Sequence, residues 1–289
     1  MLRIALPNKG RLSDRARALF NQAGLDVLVR EERALTASLG GEFEAIFVRA
    51  QDIAEFVADG AADAGITGSD LVCESERDLE SLLDLEFGAC RVVVACRDES
   101  PITSLDGIAK ASKVATPFPA MARRFFATVD PTVQIVPITG AAEIAPHLGI
   151  ADVILDITST GSTLRTNGLR EIATVMSSSA QLYSARCRRS TWPAQKLDAL
   201  NQLVDALASV IRAEGKRYLM ANVPRSELPR VKEILPGING PTVVDIMNGG
   251  VFVAVHAVVP IDSVYRTIAS LKNLGAEGIL LTRIERLVP

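Results

Sequence analysis

Short apolar runs alternate along the first half of the chain with stretches whose apolar residues recur at helical spacing. Residues 2–6 read as a strand, and the next segment carries Ala16, Leu19, Phe20 and Ala23 on one face. That spacing predicts a helix capped by Ser13 and closed by Gly24. Further strands are expected at 25–29, 43–48 and 64–67, with a helix at 53–58 between Asp52, a candidate cap, and Gly60. The series restarts at Arg91, with strands at 92–96, 113–115, 133–136 and 152–157 and a helix at 121–128. Such alternation implies mostly parallel sheets with helices on both faces. No sequence repeat is visible, so the doubled series reads as two α/β lobes with a cleft between them. Ligands in such folds meet the carboxyl ends of strands.

Strands at 169–176 and 180–187 are expected to return toward the first lobe. A long helix at 194–213 follows, with Leu197, Leu200, Val204, Leu207 and Ile211 in one stripe. Ordinary packing is the commoner use of such a stripe, and an oligomer contact is the sharper reading. The tail changes pattern. A strand at 216–223 precedes a helix at 227–235, closed by Pro236-Gly237. Strands at 242–247 and 251–259 are joined by Asn248-Gly249-Gly250, a hairpin signal. A helix at 263–274 and a strand at 279–284 complete a βαββαβ order, the ferredoxin-like pattern.

Composition narrows the class. A chain of 289 residues suggests two or three domains, and 48% hydrophobic with 22% charged residues supports a large core rather than disorder. A net charge of −3 gives no general attraction to nucleic acid or anionic membrane. Cys73, Cys90, Cys96 and Cys187 form no CxxC pair, which fits buried small residues or free thiols better than a zinc site. The start, MLRIALPNKG, lacks the long apolar stretch of a signal peptide, and no apolar run reaches transmembrane length, so a cytoplasmic protein is expected. Neither histidine, His147 or His256, sits in a nucleophile or zinc-hydrolase motif. The chemistry expected is positioning and electrostatics.

The stretch ADVILDITSTGSTL carries the strongest signal. Asp156 sits near the end of a strand, and Thr158, Ser159, Thr160, Ser162 and Thr163 then surround Gly161. Small donors, a glycine and a following helical turn are what a phosphate needs, with Asp156 free to accept ribose hydroxyls or help hold hydrated Mg²⁺. A Ser/Thr turn that merely caps the next helix accounts for the same loop. Lys9 and Arg11 flank Gly10 after the first strand, a pattern suited to phosphate or pyrophosphate, though a solvated turn is commoner. Arg49 and Asp70 follow two other first-lobe strands. Arg49 suits an anion, and Asp70 a base amino group or a ribose hydroxyl; an exposed turn or a helix cap explains either. The loops 115–119 and 140–143 follow second-lobe strands, and Glu143 also suits a helix start.

These segments together resemble the long-form ATP phosphoribosyltransferase family, which opens histidine biosynthesis. The strongest match is Ala151-Asp152 through Asp156 to Thr163-Leu164, continuing through Asn167-Gly168-Leu169-Arg170-Glu171. Supporting it are residues 2–12, Val48-Arg49, residues 63–70, residues 143–146, residues 216–220, Leu235-Pro236-Gly237 with Pro241-Thr242, and Leu274-Gly275-Ala276.

The resemblance implies an α/β, two-lobed, periplasmic-binding-protein-like catalytic core and a C-terminal ferredoxin-like βαββαβ regulatory domain. Residues 1–91 and 178–212 would form lobe I, 92–177 lobe II with the loop for phosphoribosyl pyrophosphate (PRPP), and 213–289 the regulatory domain. Adenine N1 of ATP would displace pyrophosphate from PRPP, with Mg²⁺ present. Residues 158–163 would cradle the 5-phosphate and Asp156 would hold ribose hydroxyls. Lys9, Arg11 and Arg49 would neutralise phosphates, and Asp70 and Glu143 would line the adenine–ribose side. Histidine would inhibit through the tail, near Thr242 and Ala276, in a homo-oligomer that shifts between dimer and hexamer. One departure stands out: many phosphoribosyltransferases carry two adjacent acids before the phosphate loop, whereas Ile157 follows Asp156 here. A solute-binding protein suits the bilobal pattern, and a ligand-sensing regulator suits the tail, although no DNA-binding helix pair is evident.

Overall fold

The computed structural model describes residues 1–27, 35–108, 112–238, 240–247 and 249–288. Two compact units emerge, Met1–Val204 and Asp205–Pro289. The first unit contains two sheets. Lobe I opens with β1 (Leu2–Pro7), β2 (Thr36–Ser38), β3 (Phe43–Val48), β4 (Ala64–Gly68) and β5 (Glu80–Asp84). Lobe II holds β6 (Cys90–Arg97), β7 (Lys113–Thr116), β8 (Gln134–Pro137), β9 (Val153–Thr158) and β10 (Leu169–Ser178). The chain then returns, and β11 (Ala180–Ser184) completes lobe I. The sheet orders are β2-β3-β1-β4-β11-β5 and β10-β6-β9-β7-β8.

Both sheets are mixed, which corrects the expectation of mostly parallel ones. The parallel pairs are β1 with β3 and β4, and β7 with β8 and β9. Strands β2, β5 and β11 run antiparallel to their neighbours in lobe I, as β6 and β10 do in lobe II. In lobe I the returning strand β11 runs against β4 and β5, while in lobe II the reversed strand is β6, which runs against both β9 and β10.

The parallel cores position the site. Pro7 pairs with Val48 and Ala5 with Gly65, so the loops after β1, β3 and β4 emerge side by side. In lobe II, Thr116 pairs with Pro137 and Ala115 with Ile154, which aligns the loops after β7, β8 and β9. The strands hold because they are buried. All five residues of β4 are inside, and Ala5, Ile53, Val57 and Ala62 pack as one cluster. Val92, Val94, Val114, Val153 and Leu155 anchor the lobe II core. Each such aliphatic side chain contributes about 1.5–3 kcal/mol on full burial.

Several local expectations shift. The first helix is Arg11–Gln22 and starts at Gly10, whose φ is 86°; Ser13 lies within it and is buried. Gly24, at φ 74°, closes the helix and lets Leu25 N–H reach Phe20 O at 2.9 Å. Asp52 makes no side-chain cap because a 3-10 turn, Ala50–Asp52, precedes helix Ile53–Ala58. Of the strand expected at 25–29, residues 25–27 are irregular and 28–29 lie outside the described residues. The expected strand at 180–187 ends at Ser184, and Arg186–Arg189 is a helical turn.

The second unit is antiparallel throughout. Strands β12 (Lys216–Pro224), β13 (Thr242–Asp245), β14 (Phe252–Pro260) and β15 (Glu277–Arg283) take the order β13-β14-β12-β15. Helices Leu228–Ile234 and Val264–Asn273 supply the crossovers, so the βαββαβ reading holds. Period-two burial explains the register: Val253, Val255, Ala257 and Val259 face Val231, Leu235 and Leu271 in one core. Of the expected hairpin turn, Asn248 lies outside the described residues. Among the described residues no helix is long and apolar enough to cross a membrane.

Candidate active site

The hydroxyl loop leaves β9 in a conformation held by its own side chains. Thr158 is buried, and its Oγ1 accepts the Gly161 N–H at 2.9 Å. Thr160 Oγ1 donates to Ser162 Oγ at 2.9 Å. Gly161 has φ 72°, a left-handed conformation that costs an L-residue about 1–2 kcal/mol. A Cβ there would stand 2.9 Å from Arg165 Nη1 and 3.0 Å from Glu171 Oε1. Arg165 also donates to Thr160 O at 3.2 Å. Ser159, Thr160, Ser162 and Thr163 remain exposed, with helix Ser162–Thr166 following.

A brace that the sequence did not single out lies beneath this loop. Arg91 pairs with Thr158 across β6 and β9, and its guanidinium grips Glu171 in two bonds of 2.7 and 3.0 Å. Glu171 in turn abuts Gly161. Arg170-Glu171 belonged to the motif that carried the resemblance, but nothing in the sequence paired Glu171 with Arg91.

Asp156 ends the buried run of β9 and is half-buried. Burial pushes its carboxyl up to about 6, and the Glu143 carboxylate adds to the rise, while the Ile157 N–H draws it back. That N–H donates to Asp156 Oδ1 at 2.7 Å. Glu143 lies in the 3-10 turn Ala142–Ile144, in the loop that follows β8, and its charge reaches Asp156 because β8, β7 and β9 end together.

Lobe I meets this loop through Arg11, whose Nη1 donates to Ser159 Oγ at 2.9 Å. Lys9 and Arg49 are exposed on the neighbouring loops, where Asn8 N–H bonds Val48 O at 2.8 Å and holds the two strand ends together. Asp70 is turned inward. It is 4% exposed and accepts the Ser178 hydroxyl at 2.6 Å. Among the described residues no group of three or more His, Cys, Asp or Glu side chains forms a metal cage. The carboxylates of Asp156 and Glu143 do suit Mg²⁺, which takes one or two protein carboxylates and completes its shell with phosphate and water.

In the second unit Thr242 is exposed on β13, opposite His256 on β14, and the His256 Nδ1 is 2.6 Å from Tyr218 Oη. Ala276 precedes β15, whose first residue pairs near Asn222 on β12. The two residues stand toward opposite edges of one sheet.

In this bilobal α/β core a cationic loop of one lobe stands against a hydroxyl-rich loop of the other, an arrangement whose donors and positive charge suit an anionic ligand. A family model described as "HisG: ATP phosphoribosyltransferase" matches residues 49–209, and "HisG_C: HisG, C-terminal domain" matches 213–286. The ATP phosphoribosyltransferase of Gemmatimonas aurantiaca is 63% identical across 100% of both chains, and that of Halobacterium salinarum 47% across 99% of this chain and 100% of its own. Among solved structures, a chain of the "ATP phosphoribosyl transferase (HisG:HisZ) complex from Thermotoga maritima" superimposes with a TM-score of 0.64 at 26% identity, covering 73% of this chain and 98% of that one. The chain belongs to the ATP phosphoribosyltransferase family, and its activity is that of the first step of histidine biosynthesis.

Proposed function

We propose that the chain joins the phosphoribosyl group of PRPP to N1 of ATP, releasing pyrophosphate. The observation that carries this reading is the Arg11–Ser159 bond, which sets a cation of lobe I against the hydroxyl loop of lobe II. In the step, the N1 lone pair forms the bond to the anomeric carbon, and the electrons of the breaking C–O bond leave with pyrophosphate. The nucleophile belongs to the substrate, so the protein aligns and neutralises. Residues Thr158, Ser159, Thr160, Gly161, Ser162 and Thr163 take the 5-phosphate. Asp156 accepts ribose hydroxyls and Glu143 serves the adenine–ribose side, whereas Asp70, expected there from the sequence, is buried against Ser178 and supports the turn after β4 instead. Lys9, Arg11 and Arg49 offset the polyphosphate charge. Asp156 and Glu143 would hold Mg²⁺, which supplies charge neutralisation at the leaving pyrophosphate when bound.

The second unit serves as the histidine sensor in this reading, with Thr242 and Ala276 in the regions that contact the inhibitor and a dimer–hexamer equilibrium that histidine shifts. Inhibition from a separate end-product site requires two states of unequal histidine affinity. The test mixes purified protein with ATP, PRPP and Mg²⁺ and follows phosphoribosyl-ATP with and without histidine. Product that falls on histidine addition is expected. Folded protein that forms no product overturns the reaction, and product indifferent to histidine overturns the sensor.

A further inference from the structure

Helix Ser69–Ser75 follows β4 of lobe I, yet its contacts lie on both lobes. At its amino end the Asp70 N–H donates to Ser178 Oγ at 3.1 Å, and Ser69 Oγ donates to the same hydroxyl at 3.0 Å. Ser178 is the last residue of β10, where the chain passes back from lobe II to lobe I. Farther along, Leu71 and Cys73 pack on the lobe II core beside Val92, Phe118 and Met121. Near the carboxyl end, Glu74 reaches helix Pro119–Phe126 of lobe II. Its Oε1 accepts the Ala120 N–H and its Oε2 the Met121 N–H, both at 2.9 Å. Arg124 of that same helix donates to Cys73 Sγ.

Helix Pro119–Phe126 has no cap of its own. Phe118 stands at its N-cap without a side-chain bond, and Pro119 brings no N–H. The first two amides that need acceptors therefore find them on a residue of the other lobe. A carboxylate suits this place through charge-assisted bonds and through the positive end of the helix dipole.

We propose that Glu74 is a positioning residue: by capping Pro119–Phe126 from across the lobes, it latches them at the spacing in which Arg11 meets Ser159. The inference rests on the reading that substrates bind between the loops of the two lobes. With the latch gone, the closed arrangement is a smaller fraction of the free enzyme. Each substrate then draws on its own binding free energy to restore closure, and its apparent affinity falls by that fraction. The closed complex is unchanged, so turnover at saturation persists.

The experiment compares the full chain with Glu74→Gln and Glu74→Ala. Gln keeps the shape but replaces one acceptor oxygen with a donor. KM for ATP and KM for PRPP are expected to rise by a common factor of about 3- to 30-fold, the span of a lost helix cap, with kcat within about twofold. Amide hydrogen exchange at Ala120 and Met121 accelerates in both variants, because those two protons have no acceptor within the helix. Glu74→Asp, charged but one methylene shorter, recovers part of the affinity. A rise in KM for one substrate alone overturns the latch in favour of direct contact. A fall in kcat with unchanged KM reduces Glu74 to a structural role. Unchanged exchange removes the contact itself. Exchange, together with calorimetric binding of ATP and of PRPP to each variant, needs no turnover. A wild-type chain that makes no product therefore sinks the reaction while these two measurements still decide the latch.

Discussion

Arg11 and Ser159 lie 148 residues apart in the chain and share a hydrogen bond of 2.9 Å. The bond joins the first turn after β1 to the loop after β9, and it sets a permanent positive charge over a row of neutral donors. A charge-assisted bond to a phosphate is worth roughly twice a neutral one. Arg11→Ala is therefore expected to lower kcat/KM by about 10- to 100-fold, and Ser159→Ala by about 3- to 10-fold. Arg11→Lys keeps the charge but loses the forked donor set, and falls between them. Steady-state kinetics on the three variants checks the order. Equal losses for Arg11→Ala and Ser159→Ala would mean that Arg11 only tethers the loop.

Asp156 gives a pH prediction. Its carboxyl titrates near 6 in the folded protein because burial and Glu143 disfavour the charged form. The unfolded chain holds the same group near 3.9. The folded state thus binds the proton more tightly, and this group's contribution to stability is present below about pH 4 and is lost as pH rises to about 6. Function runs the opposite way, since only the carboxylate accepts from ribose hydroxyls without donating. KM for PRPP is expected to rise as pH falls through about 6. Glu143→Gln moves the inflection lower, and Asp156→Asn abolishes it. Profiles of PRPP affinity for the three proteins test both signs; an inflection that survives in Asp156→Asn belongs to another group.

Gly161 offers a test of loop geometry. Its φ of 72° and its closeness to Arg165 and to Glu171, which Arg91 holds in two bonds, leave little room for a side chain. Backbone strain is the larger cost, about 1–2 kcal/mol for Gly161→Ala. In a unit of this size that lowers Tm by about 2–8 °C if the loop keeps its shape. If the loop relaxes instead, Tm holds and KM for PRPP rises by about 5- to 30-fold. Calorimetry beside kinetics separates the two; a variant unchanged in both would show that the left-handed turn is dispensable.

Much of this architecture was legible from periodicity. Strands β3 and β9 and helix Ile53–Ala58 carry apolar runs or stripes, broken in the strands only by Glu44 and by Asp156 with Thr158, and they lie close to their expected bounds. The elements that escaped have other warrants. Strand β2 is three residues long, and β5 carries two acids and only two buried-type leucines, so neither shows a period. Helix Ser69–Ser75 begins in a Gly-Ser-Asp turn signal that conceals it. The reversed directions of β6 and β11 follow from where the chain travels, which no local window contains. The loop around Gly161 announced itself by composition, and Arg91 did not, because a lone arginine at a strand start pairs with Glu171 only after the sheet has formed.

The strand order of lobe I has a consequence for how the protein is made. Strand β5 bonds only to β11, and β11 fills the gap between β5 and β4. During synthesis, therefore, residues 80–84 emerge with no strand to join and the edge of β4 stays open until residues 180–184 follow. Lobe II, whose five strands are contiguous from Cys90 to Ser178, has all its parts before lobe I does. A ribosome-bound chain stalled inside lobe II would carry an unpaired sheet edge, the kind of surface on which neighbouring chains associate.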